Sequence, residues 1–312
     1  MNILLWHVHG SYTTAFVRGA HTYLIPTLPG RGPDGRGRAQ TWSWPSSAVE
    51  VTPSDAAGAE VDVVVLQRPH ELDGLAERWL GGRRPGRDVP AVYLEHSSPQ
   101  GRIADMRHPA ADRSDLLLVH VTHFNRLFWD AGSTEAVVVE HGIVDPGLRY
   151  SGALERAAVV VNEPARRGRV TGTDLLEPLG SELPLDLFGI GAGALGGIEN
   201  LTQDALHDAM AQRRVYLHPI RWTSLGLSLL EAMHLGMPVV ALATTEVAEA
   251  VPSEAGVTSN RIEVLTDALR RFRDDPEDAR LVGKSGREIA LERYGLERFL
   301  CAWDDVFGRV CR

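Results

Sequence analysis

Short runs of apolar, β-branched residues recur along this 312-residue chain, with helical-period segments between them. That alternation is the pattern of a parallel sheet covered by helices. A first series predicts strands at Asn2–Val8, Val61–Gln67, Ala91–Glu95, Asp115–Val121 and Ala136–Glu140. Between the first two, Pro26–Ser47 is dense in Gly, Pro and Arg and reads as a mobile surface loop. A turn at Asp145-Pro146-Gly147 closes this half. A second series predicts strands at Ala157–Asn162, Leu185–Gly189, Arg214–Leu217 and Pro238–Ala243, with helices at Asp174–Leu179, Thr202–Ala211 and Leu225–Leu235. From Arg261 onward the chain is helical and charged.

Two series of this kind imply two doubly wound, Rossmann-like α/β domains, residues 1–150 and 151–312, facing a central cleft. Such sheets bind ligands beyond the carboxyl ends of their strands, so the loops that follow each strand are where chemistry is expected. Charge narrows the ligand class. With 41 acidic residues against 32 basic ones and a net charge of -9, the chain lacks the basic field of a nucleic-acid binder. Lys284 is the only lysine, so a bound anion must be met by arginine, histidine or backbone N–H groups. The same bias, with abundant Ala, Gly and Arg, fits a GC-rich coding genome. Cys301 and Cys311 are too few for a disulfide framework or a four-ligand zinc site, which points to a reducing cytoplasm. The N-terminal MNILLWHVHG reads as a buried strand rather than a signal peptide. No apolar run reaches the roughly 20 residues that span a bilayer, which leaves peripheral membrane contact open.

The most informative segment is His218–Pro252. A buried strand ends before it, Ser224-Leu225-Gly226 opens a helix, Gly236 caps that helix, and Pro238 begins the next strand. The helix N-terminus offers free N–H groups and the positive end of a dipole, a site suited to phosphate. Glu231 lies within this helix among apolar neighbours; from spacing alone it is either an exposed helical glutamate or a ligand-facing one.

This segment resembles the donor-binding signature of retaining glycosyltransferases of the family 4, or group 1, type. The resemblance is carried by Ser224, Gly226, Leu227, Leu230, Glu231, Ala232, Met233, Gly236, Pro238, Val239 and Val240. It implies the GT-B fold, with a last helix, about residues 296–312, crossing back to the first domain. It also implies that residues 1–150 bind the acceptor and residues 151–312 a nucleotide sugar. Glu231 would hold the ribose hydroxyls, and Thr223, Ser224, Leu225, Gly226 and Leu227 would line the donor site. Thr223 is a departure, because the family places a second glutamate there. A threonine hydroxyl still bonds a sugar, without charge and with shorter reach. Arg166, Arg167 and Arg169 occupy the loop where the family keeps two diphosphate-binding cations, and arginine suits that contact; spacing does not say which two act. Gly189 and Gly191 fit a nucleotide-lining loop better than a dinucleotide fingerprint.

In the acceptor half, the resemblance sets Gly10 near the donor phosphates and His96 against the donor sugar. His9, Ser11, His70 and Glu71 are acceptor-side candidates by their places after strands. His141-Gly142 matches a turn at the domain junction. The implied reaction moves a sugar from a nucleotide diphosphate, UDP or GDP expected, to an acceptor hydroxyl with retention of configuration. His96, Arg166 and Arg169 are its expected catalytic groups, acting with no metal and no cofactor. The acceptor is a small molecule, a glycan or a lipid-linked compound. Thr223 motivates an alternative, a nucleotide-sugar-binding protein without turnover. A Rossmann-type oxidoreductase on Gly189–Gly193 is a third reading.

Overall fold

A computed structural model describes residues 1–311. The chain divides into two compact units, Met1–Gly142 with the segment from Leu296 onward, and Ile143–Gly295. The division falls at 142/143 rather than at 150, because Ile143 donates its N–H to Tyr294 O (2.9 Å) and is thereby fastened to the second unit.

The first unit holds a seven-stranded, wholly parallel sheet built from β1 (Asn2–Leu5), β2 (Thr22–Pro26), β3 (Ala48–Val51), β4 (Val63–Leu66), β5 (Ala91–Glu95), β6 (Leu117–His120) and β7 (Ala136–Val138). The order is β3-β2-β1-β4-β5-β6-β7, with Ile3 beside both Tyr23 and Val63. Both faces are covered, which is why the strands read as continuous apolar runs rather than alternating ones. One face buries Leu4, Trp6, Leu66, Trp79 and Tyr93 together. On the other, the helix Leu296–Val310 lays down Phe299, Trp303, Val306 and Phe307, an i, i+4, i+7 and i+8 stripe that is 1–4% exposed. Trp303 meets Phe16 edge-on at 4.8 Å and donates its indole N–H to Tyr12 Oη (3.0 Å).

β2 and β3 were not expected from the sequence; each is short, and β3 is an edge strand with Val49 exposed. The intervening loop is also corrected. Trp44 is buried and donates to Thr14 Oγ1, Trp6 donates to Asp34 O, and Arg38 clamps Trp44 O and Ala48 O. A composition rich in Gly and Pro marked irregular backbone, but two buried tryptophans and one arginine hold it down.

The second unit holds β8 (Leu154–Val160), β9 (Leu185–Phe188), β10 (Arg213–His218), β11 (Val239–Leu242) and β12 (Gly256–Ser259), all parallel, in the order β12-β11-β10-β8-β9. β12 is a further, short edge strand beyond those the sequence predicts. The helix expected at Leu225–Leu235 runs Leu227–Leu235, with Gly226 at its N-cap and Gly236, φ 85°, closing it. Among the described residues no helix is long and apolar enough to cross a membrane.

Candidate functional site

In the second sheet the direction of winding reverses between β8 and β10, the place where open α/β sheets bind ligands. The loops after these two strands are stitched together. Arg221 donates its backbone N–H to Val170 O (2.9 Å), reaches Arg169 O (2.8 Å), and forks onto Asp174 (2.5 and 2.9 Å). Gly172, φ 73°, permits the approach, since a Cβ there would lie 1.9 Å from Pro219 O.

The three arginines of the first loop have different fates. Arg166 folds back onto Glu163, and Arg169 shares Asp174 with Arg221. The guanidinium of Arg167 makes no ion pair or hydrogen bond among the described residues and is half-buried. Burial, and then the charge of Arg166, hold it below the usual arginine range. A cation in that condition favours an anion beside it.

Opposite, the helix Leu227–Leu235 begins with no side-chain cap, so its first N–H groups keep their donor capacity. Gly226 is required because a Cβ would stand 2.5 Å from His218 Cε1. Thr223 is half-buried and Ser224 buried; Leu225 and Leu227 pack in the core, so only their backbone could meet a ligand. Glu231 is not the exposed helical glutamate. It is 5% exposed, with Oε2 3.5 Å from His207 Nε2, which in turn bonds Gln203. His207 went unnoticed in the sequence because its helix carries no motif.

Gly189 and Gly191 lie in the loop after β9, tied to the loop after β8 through Glu163 N–H to Ile190 O (2.6 Å) and Ile190 N–H to Asn162 Oδ1 (2.9 Å). A Cβ on Gly189, φ 132°, would strike Val161 O at 2.3 Å. The Gly191 N–H is already taken by Glu199.

The first sheet reverses between β1 and β4. After β1, His9 precedes the helix Gly10–Phe16, which carries Ser11, and a Cβ on Gly10 would come within 3.3 Å of Trp42 Nε1. After β4 comes Gln67, and after β5 comes His96. The rings of His9 and His96 lie 4.2 Å apart, with Tyr12 edge-on to His96 at 4.6 Å. Gln67 Nε2 donates to Trp6 O (2.7 Å), so its Oε1 faces His96 Nε2 (3.0 Å) and must accept from it. The network thus assigns the proton of a neutral His96 to Nε2. Burial, followed by His9 and His141, holds His96 far below the usual imidazole value, so it does not act as an imidazolium near neutrality. His9 is also lowered, by burial first and then by Arg36 and His7.

One acceptor-side expectation changes. Glu71 is fully buried, accepting the N–H groups of Gln67 (2.6 Å) and Arg68 (3.3 Å) and pairing with the Arg68 guanidinium. It holds the turn and is closed to a ligand. His70 is exposed and engaged with Asp34 at 2.9 Å. A cavity of about 360 Å³ opens between the loops after β4 and β5, lined by Gln67, Arg68, Tyr93, Glu95, His96 and Trp129 among others. Glu95 is a charge that ends a buried strand beside His96, a signal legible in the sequence. Among the described residues no three His, Cys, Asp or Glu side chains are grouped to hold a metal ion.

Residues 197–289 match a family model described as Glycosyl transferases group 1. That span contains the helix Leu227–Leu235 and Glu231, and excludes the arginine loop. No curated protein matches the chain. Among solved structures, sucrose-phosphate synthase from Thermosynechococcus elongatus aligns with a TM-score of 0.70 at 15% identity, covering 99% of this chain and 98% of that one. HepE from Anabaena in complex with UDP-glucose gives 0.65 at 12% identity, covering 99% and 100%. A glycosyltransferase from Rickettsia africae gives 0.63 at 12%, covering 100% and 98%. At these identities the likeness is one of fold: the two Rossmann-like units share the GT-B fold of these neighbours.

Proposed function

We propose that this chain is a glycosyltransferase that moves a sugar from a nucleotide diphosphate to an acceptor hydroxyl, with the donor on the second unit and the acceptor on the first. The observation that carries the reading is the pairing of Arg167, whose guanidinium has no hydrogen bond or ion pair among the described residues, with the uncapped helix start at Gly226, both at the reversal point of the second sheet. Together they supply what a diphosphate needs, a fork of charged donors and a row of backbone N–H groups. As the glycosidic bond breaks, negative charge grows on the leaving diphosphate, and these fixed donors stabilise it without reorganising. In this reading Glu231, which has His207 beside it, accepts hydrogen bonds from the ribose hydroxyls. Retention of configuration belongs to the family 4 resemblance, and proton NMR of the product's anomeric centre tests it.

UDP-sugars come first among donors, since the Anabaena neighbour is solved with UDP-glucose. Thermal shift with UDP-, GDP-, ADP- and dTDP-sugars is the decisive measurement. A donor at about 100 times its Kd stabilises the fold by roughly 2.7 kcal/mol, and Arg167→Ala and Glu231→Ala should each remove most of that shift. If no nucleotide moves the transition, the reading fails. Because the charge on the leaving group is met by arginine and helix N–H groups, turnover should be indifferent to EDTA. Thr223, where a glutamate is usual, supports a second reading in which donor binds and nothing turns over; release of free nucleotide in the presence of an acceptor separates the two. Cys301 and Cys311, both exposed free thiols, support action in a reducing cytoplasm.

A further inference from the structure

We propose that the cavity beside His96 selects its ligand by charge. It admits an uncharged or amine-bearing hydroxyl compound of one or two sugar rings and rejects phosphorylated or carboxylated ones, with Glu95 as the discriminating group. The assignment rests on the proposed glycosyltransferase activity only in calling that ligand the acceptor.

The size comes from the volume. About 360 Å³ is at the small end of ligand clefts, which run from roughly 300 to 1,000 Å³. That accommodates one or two rings and not a long chain. Tyr93 and Trp129 give the cavity apolar wall for the C–H faces of a sugar.

The charge selectivity comes from the hydrogen bonds. Glu95 is 8% exposed. One of its oxygens accepts from Ser97 N–H (2.6 Å) and the other contacts His108 Nε2 (2.9 Å). His108 Nδ1 accepts the N–H of Ala110 (3.0 Å), so the single ring proton sits on Nε2 and the ring is neutral. No imidazolium therefore offsets Glu95. The cation on the cavity wall, Arg68, is already shared between the buried Glu71 and Asp34, which lies 3.0 Å away. Its Nη2 is nonetheless buried without a hydrogen-bond partner, a donor ready for a neutral hydroxyl. His9 and His96 are held neutral. Glu95 and Arg68 are the acidic and basic side chains of the wall; Arg68 is matched by Glu71 and Asp34, and Arg36 bears on the His9 side, so the negative bias is local to Glu95, and a phosphate brought against that carboxylate meets like charge.

The test titrates the full chain, without nucleotide, with glucose, glucosamine, maltose and glucose 6-phosphate by ligand-observed NMR. Glucose and glucosamine should bind, and glucose 6-phosphate at least about tenfold more weakly. Glu95→Gln should close that gap by improving glucose 6-phosphate about tenfold while changing glucose by less than about threefold. Ser97→Trp, at an exposed position of the wall, should abolish sugar binding and leave the nucleotide-induced thermal shift intact. Equal affinity for glucose and its phosphate overturns the proposal. So do an unchanged gap in Glu95→Gln, sugar binding that survives Ser97→Trp, or no binding by any of the four sugars. If sugars bind with this selectivity but no nucleotide shifts the protein, the glycosyltransferase reading falls and the charge-selective cavity stands.

Discussion

Gln67 decides the state of the ring beside it, since its amide nitrogen is committed to Trp6 O and its oxygen can only accept from His96. Replacing it by leucine removes that orientation and leaves the donor loops of the second unit untouched. Gln67→Leu should lower kcat by roughly ten- to a hundredfold with the nucleotide thermal shift unchanged, and the nitrogen-15 shifts of His96 should move toward a mixture of tautomers. His120 is a different case. It is fully buried with neither ring nitrogen hydrogen-bonded among the described residues, and burial, then His108 and Arg126, push it down to about 3. A histidine at 6.5 unfolded and about 3 folded adds stability above pH 6.5. That contribution is lost as pH falls through the window between the two values, at about 1.4 kcal/mol per pH unit. His120→Leu should keep its neutral-pH stability within about 1 kcal/mol of wild type and remove about one proton from the uptake on unfolding between pH 6 and 4. Denaturant titrations across that range read both. None of this was legible in the sequence: a histidine's partner lies across the sheet, and spacing along one strand does not reveal it.

Between elements, what matters is the seam joining the loops after β8 and β10. Gly172→Ala places a Cβ against Pro219 O at a positive φ, and should cost about 2 kcal/mol or more while weakening nucleotide binding more than any change in the first unit does; calorimetry with and without nucleotide checks both. The helix Leu227–Leu235 was readable because an apolar period, a glycine at each end and a following proline all coincide in one stretch. Glu231 was readable with it. The arginine loop was readable in composition but not in roles, because Arg166 and Arg169 are matched by Glu163 and Asp174, partners that only the folded loop brings close. β2 and β3 were missed for a related reason. Four or five residues beside a loop crowded with Gly, Pro and Arg carry too little periodicity to stand out, and their identity as strands comes from pairing with β1.

On the scale of the whole molecule, the first unit depends on residues far down the chain. Trp303→Ala should remove about 3–5 kcal/mol from it and split the thermal unfolding into two transitions, with the second unit's remaining in place. A chain ending at Gly295 should lose the first unit's cooperative transition altogether. The same arrangement dictates an order of events during synthesis. Residues 143–295 leave the ribosome as a finished folding unit, whereas the sheet of residues 1–142 waits, one apolar face uncovered, for the helix that begins at Leu296. The half made first is therefore completed last, and for the length of an intervening domain the nascent protein exposes the surface on which a holding chaperone would act.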